Sequence, residues 1–170
     1  NMMITRHVIR EFGKYALGAE HSNLISSIVP GVMAQTGMES LEIIRGVIRE
    51  TEPDCIVAVD ALAARSVKRL NRTIQITNTG INPGSGVGNH RHGLNRESVG
   101  IPVIAIGVPT VVDAATIVND AISGYYEEVD CTLNSFFVTP KDIDESIKRL
   151  SFTISEGLNL AFEKTACTNS

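Results

Sequence analysis

The chain has no tryptophan, and aromatic residues make up only 5% of its 170 residues, so its core must be filled mainly by aliphatic side chains and alanine. Its three cysteines, Cys55, Cys131 and Cys167, stand far apart with no Cys-x-x-Cys pair. That excludes a disulfide framework and a zinc knuckle and suits a reducing compartment. No apolar run approaches the roughly 20 residues that a membrane helix needs. Arg6, His7 and Arg10 interrupt the first segment, so Asn1-Met2-Met3 does not read as a signal peptide. There is no surplus of positive charge either. A net charge of −4 gives no global field for nucleic acid or an anionic membrane, and Lys68, Arg69 and Arg72 read as a solvated helix end. What remains, 43% apolar and 20% charged, is ordinary for a globular protein, and residues 1–170 suffice for a single domain with a real core.

Helical and strand signals alternate along the chain. Met3, Ile4, Val8, Ile9 and Phe12 recur near helical spacing and predict a helix over residues 2–17. Ser26–Val29 reads as a short strand stopped by Pro30-Gly31. Thr36 and Glu39 have capping-box spacing before a stripe of Met38, Leu41, Ile44, Val47 and Ile48, which predicts a helix running to Thr51. Cys55–Val59 is a continuous apolar run, as in a strand buried on both faces, and Ala61–Leu70 is rich in helix formers. Thr73–Thr77 alternates as a strand does. Asn78 to Gly100 is a loop with six glycines, and Pro102–Val108 is a second buried strand. Pro109-Thr110 reads as the start of a helix over Val111–Ile122. Residues 123–138 lack periodicity. Thr139-Pro140 then opens a last helix with Ile143, Ile147, Leu150, Ile154, Leu158 and Phe162 along one side. The succession predicts an α/β fold, a mostly parallel sheet with helices on both faces.

In such sheets ligands bind beyond the carboxyl ends of the strands, which singles out two acids. Asp60 follows the first buried strand. It serves either as the N-cap of a helix beginning at Ala61 or, partly desolvated, as a group for proton transfer. Asp113 lies in the first turn after the second buried strand, where a favourable helix-dipole interaction is the simpler reading. Glu39 is most simply the capping partner of Thr36. Gly84, Gly86 and Gly88 suggest a phosphate-cradling loop only weakly, because no helix begins where that motif requires one; a substrate channel or lid fits as well. His90 and His92 lack a nearby Cys, Asp or Glu to complete a metal set, so no metal or other cofactor is expected. Ser85 and Ser98 have no nucleophile-elbow context.

Several blocks resemble one family. They are Pro30-Gly-Val-Met-Ala-Gln-Thr-Gly-Met-Glu39, Val57-Ala-Val-Asp-Ala-Leu-Ala-Ala-Arg65, Thr73-Ile-Gln-Ile-Thr-Asn-Thr-Gly80, Pro83-Gly-Ser-Gly-Val-Gly-Asn89 and Ile101–Ala114. The later Val138-Thr-Pro-Lys-Asp-Ile-Asp144 and Gly157-Leu-Asn159 continue the pattern. All are similar to the spore germination proteases. The resemblance implies an atypical aspartic endopeptidase without a bound metal, which degrades the small acid-soluble proteins of the spore. It further implies a zymogen, a homotetramer, a cytoplasmic place in the spore core, and a fold similar to that of the hydrogenase-maturation proteases (phosphorylase/hydrolase-like). No direct nucleic-acid or membrane partner is implied. Of two aspartates implicated in the family, one falls on Asp60, while Glu39, Gly84, Gly86, Gly88 and Asp113 are placed as lining of the cleft.

The chain departs from the family pattern twice. The other family aspartate belongs to a segment preceding residue 1, and the family carries a longer stretch where this chain has only residues 123–137. Two other readings follow. One is a truncated or inactive relative acting as a binding or assembly module; the other is a metal-dependent peptidase of the hydrogenase-maturation type, using Asp60 with His90 or His92.

Overall fold

The computed structural model describes residues 25–31, 33–83, 92–122 and 135–162. The chain divides into two compact units, Pro30–Ile143 and the segments Asn1–Val29 with Asp144–Ser170. The helix predicted over residues 2–17 lies outside the described residues, and residues 26–30 have no regular secondary structure where a strand was expected. Val29 there is almost wholly exposed, so no burial rewards the extended run.

In the larger unit, a short helix α1 (Met33–Thr36) precedes α2 (Ser40–Thr51). The cap differs from the predicted one by a turn. Glu39 is the N-cap of α2, and Glu42 returns a carboxylate oxygen to the Glu39 N–H at 2.8 Å, so the box is Glu39–Glu42. Thr36 instead bonds the backbone of Met38 through its hydroxyl. The helix ends as expected at Thr51, followed by Glu52 in the left-handed region (φ 44°), whose N–H donates to the Ile48 carbonyl.

The sheet is built on β1 (Ile56–Ala64) and β3 (Val103–Asp113), which run parallel from Ile56↔Val103 to Ala64↔Val112. Both strands outrun their predicted ends. Ala61–Leu70 was expected to be helical and Pro109 to start a helix. Instead, Ala61–Ala64 continue β1, and β3 passes through Pro109 to Asp113. The helix preference of Ala and Leu amounts to tenths of a kcal/mol per residue, which a ladder against a buried strand outweighs. Pro109 is accommodated by a register shift: Leu62 pairs with Pro109 but Ala63 with Val111, leaving Thr110 as the extra residue. The bulge falls where the proline ring removes a ladder donor. The Pro109 carbonyl still accepts from the Asn71 N–H and the Thr110 carbonyl from the Thr139 hydroxyl.

Beyond Ala64 comes a single 3-10 turn, Val67–Arg69, and then β2 (Gln75–Thr77), antiparallel to β3. A parallel neighbour needs a crossover of about a dozen residues or more, commonly a helix, and residues 65–74 supply only that turn. A two-residue strand β4 (Phe137–Val138) also pairs antiparallel with the end of β3. The fold is therefore α/β, but among the described residues its sheet is mixed instead of mostly parallel, in the order β1-β3-β2 with β4 on β3. Between β2 and β3 lies a helical turn, α3 (Arg96–Val99), and α4 (Ala114–Ile122) follows β3 directly.

Alternation gives each strand two faces. Ile56 and Ala58 of β1 pack with the buried Leu41, Leu94 and Val103 and with Ile44, Ile81 and Val99, so α2 and α3 cover this face at its amino end. The opposite face leaves Val59, Ile76 and Ile104 exposed. In the second unit, α5 (Ile143–Phe162) follows its predicted stripe except at one position: Ile143, Leu150, Ile154, Leu158 and Phe162 are half-buried, but Ile147 is exposed, as are Phe152 and Leu160 outside the stripe.

Candidate active site

Asp60 lies within β1, not after it. It shares a face with Ile56, Ala58, Leu62 and Ala64, and it is the next residue on that face after the two that the Leu41–Leu94–Val103 cluster takes up. Its side chain is half-buried, and its Oδ1 accepts a hydrogen bond from the N–H of the adjacent Ala61 at 2.9 Å. No other described residue bonds the carboxylate. The proposed cap of a helix at Ala61 is therefore replaced by a carboxylate projecting from a strand.

The residue opposite Asp60 in β3 is Gly107, which is opposite Gln75 in β2. Gly107 is a glycine for a local reason: a Cβ there would overlap the Leu62 side chain, which lies across it. The row Asp60–Gly107–Gln75 thus has polar groups at its ends and leucine over its middle.

The glycine-rich loop is pinned at its base. Ile81 and Leu94 exchange backbone hydrogen bonds of 2.9 and 2.7 Å, and Gly80 (φ 87°) sits so close to the Leu94 carbonyl that a side chain would overlap it. Both anchoring residues pack in the cluster that Ala58 joins, which sets the loop base beside the face carrying Asp60. Gly84, Gly86, Gly88, Ser85 and His90 lie outside the described residues.

His92, on the returning arm, meets Glu39: its Nδ1 is 2.7 Å from Oε2. The imidazole is largely exposed and the carboxylate mostly buried. The pair rims a small cleft floored by Leu41, Ile44 and Leu94, with Pro83 on the outgoing arm. Glu39 and the two arms of the loop are therefore brought together, and His92 is directed to Glu39 and not to Asp60. Among the described residues no group of three or more His, Cys, Asp or Glu has metal-binding geometry.

Asp113 is elsewhere. It closes β3, six residues beyond the partner of Asp60, or about 20 Å along an extended strand. The bulge at Thr110 also turns it to the opposite face. Its Oδ1 accepts from the Thr116 N–H and its Oδ2 from the Thr116 hydroxyl, both at 2.7 Å, the arrangement of a helix N-cap. Ser98 caps as well: Asn95 and Ser98 form a reciprocal box at α3, and Arg45 of α2 donates twice to the Ser98 carbonyl.

Two residues escaped the reading of the sequence. Asp120 of α4 accepts from the Ser66 hydroxyl and the Val67 N–H, tying the end of β1 to that helix, and nothing in its sequence neighbourhood signals this. Gln75 had a signal, being one polar residue of an alternating strand, but its neighbour across Gly107 depends on register.

The sequence model of the Peptidase_A25 family, described as germination protease, matches residues 1–129. The chain is 42% identical to a germination protease of Caldanaerobacter subterraneus over 193 aligned positions, covering 96% of this chain and 59% of that protein. It is 40% identical to one from Clostridium perfringens (95% and 58%) and 55% identical to one from Bacillus velezensis over 122 positions (72% and 33%). The chain spans about three fifths of the length of the first two. An alignment of 193 positions exceeds the chain's 170 residues, so the Caldanaerobacter protein carries internal positions that this chain lacks. On the extent of these matches, the chain belongs to the germination protease family.

Proposed function

We propose that this chain forms part of an endopeptidase in which Asp60 is one of two catalytic carboxylates. The observation that carries this reading is the placement of Asp60: a half-buried carboxylate in the middle of a strand, bonded among the described residues only to its neighbour's N–H. Asp is depleted on β-strands, so a carboxylate there that no described partner other than the adjacent N–H holds points to a chemical role. That role is proton transfer to and from water at a scissile amide.

The chemistry needs a second carboxylate; no described one bonds to Asp60, and the family pattern puts the partner in a segment outside the described residues. One carboxylate of the pair takes a proton from the attacking water. The other polarises the carbonyl and then protonates the departing amine. Two carboxyls sharing a site do this because the second ionisation is disfavoured by the first. Glu39 and the arms of the glycine-rich loop at Pro83 and His92 line the cleft, and we assign them the holding of an extended peptide. Asp113 has no part in the proposal, because both of its oxygens are engaged by Thr116. The substrates are the small acid-soluble proteins of the spore, met in the spore core by a homotetramer released from a zymogen.

The test is cleavage of a purified small acid-soluble spore protein by the full-length protease and its Asp60→Asn variant, with the 170-residue chain alongside. Loss of cleavage in a folded variant supports the assignment. Undiminished cleavage by Asp60→Asn would remove Asp60 from the mechanism. If Asp60→Asn is inactive and only the longer protein cleaves, the second carboxylate lies outside this chain.

A further inference from the structure

Across three strands the row Asp60–Gly107–Gln75 presents one face. On β1 and β3 the rest of that face is apolar, with Ile56, Ala58, Leu62 and Ala64 on β1 and Val103, Ala105 and Pro109 on β3, while on β2 Thr77, opposite Ala105, shares the face with Gln75 and has its hydroxyl engaged by Thr79. Gln75 is exposed and, among the described residues, its carboxamide has no hydrogen-bond partner. It therefore contributes nothing visible to holding β2 in place; the ladder to Gly107, Ile106 and Ala105 does that. Between it and Asp60 no side chain rises from β3, and the gap is floored by Leu62.

We propose that Gln75 is a substrate-binding residue of the site containing Asp60, taking one peptide group of an extended polypeptide laid across β1, β3 and β2. The proposal rests on the reading of Asp60 as catalytic. A primary carboxamide carries a donor and an acceptor side by side, which matches the C=O and N–H of an extended backbone without regard to side chains. Two interstrand spacings put the Gln75 and Asp60 backbones about 10 Å apart, or about three residues of an extended chain. Gln75 therefore holds a peptide group about three residues from the bond being cut, while Leu62 meets the apolar part of the intervening substrate. A carboxylate at position 75 would lose both amide donors and add a like charge on the same face as Asp60.

The experiment compares full-length wild type, Gln75→Ala, Gln75→Glu and Asp60→Asn on peptides cut from a small acid-soluble spore protein. One series replaces single amides near the cleaved bond by esters. Two neutral hydrogen bonds correspond to about a tenfold effect. Gln75→Ala is expected to raise KM about tenfold with kcat little changed, as loss of uniform binding does, and Gln75→Glu to be at least as weak. One ester position costs the wild type binding but costs Gln75→Ala nothing further. A kcat/KM of Gln75→Ala within twofold of wild type, or ester effects equal in both proteins, would overturn the proposal. If Asp60→Asn is inactive and Gln75→Ala is silent, Gln75 alone is misassigned. If Asp60→Asn stays active, the catalytic reading fails, and the ester series still decides whether Gln75 touches the substrate.

Discussion

Asp60 and Asp113 stand on two paired strands, each in a stretch of apolar residues, and their carboxylates are held in opposite ways. Asp113 has both oxygens engaged by one residue, Thr116, at the junction of β3 and α4. Asp60 has one oxygen engaged by its neighbour's N–H, and the other faces no described donor. From sequence both acids lie near the end of an apolar run, with a helix expected to start at Ala61 directly after Asp60 and at Val111 just before Asp113. The structure separates them: the chain turns helical after Asp113 and stays extended after Asp60. Asp113 has each oxygen bonded within the fold and caps a helix, whereas Asp60 is the one that the proposed function assigns to the substrate.

The sharpest way to break this comparison is at Asp60. Asn keeps the oxygen that accepts from Ala61 and removes the charge, so Asp60→Asn is expected to leave thermal unfolding unchanged and lower kcat by about 100-fold or more. A smaller effect is expected at Gly107, where an added methyl meets Leu62. Gly107→Ala is expected to destabilise by about 1–3 kcal/mol in urea unfolding, with Leu62→Ala in the same chain recovering part of the loss. Next comes the other acid. Asp113→Ala removes an N-cap and is expected to cost about 1 kcal/mol, while Asp113→Asn, an equally good cap, restores most of it; neither changes activity per folded molecule. The smallest effect concerns His92 and Glu39. A pair whose imidazole is mostly exposed is worth about 0–1 kcal/mol, so His92→Ala is expected to shift the urea midpoint only slightly, and less at high salt.

Much of the larger unit was legible in the sequence because its signals are local. The stripe Leu41, Ile44, Val47 and Ile48 marks α2, and the aliphatic runs at residues 55–59 and 102–108 mark the paired strands. The ends of those strands were not legible, because they are decided by partners distant in sequence. Ala61–Ala64 carry helix formers, and only the ladder to Val108–Val112 keeps them extended. Pro109 is a good helix opener, and only the bulge at Thr110 lets it sit in a strand. The antiparallel sense of β2 is likewise a property of the connection, which holds too little chain for a crossover.

The candidate site divides in the same way. Asp60 is singled out by motif and strand position, both local. Its setting is not, because the row through Gly107 to Gln75 and the cover from Leu62 depend on the registers of two strand pairs. Glu39 was placed as a cap correctly in kind but one turn early. Its contact with His92, 53 residues on, carries no sequence signal.

One paired measurement separates the two acids. Asp60→Asn and Asp113→Ala are introduced separately into the full-length protease, and cleavage of a small acid-soluble spore protein is measured beside thermal unfolding. Asp60→Asn is expected to stay as stable as wild type and to lose cleavage. Asp113→Ala is expected to be less stable and to cleave normally while folded. Cleavage retained by a folded Asp60→Asn, or lost by a folded Asp113→Ala, would contradict these roles.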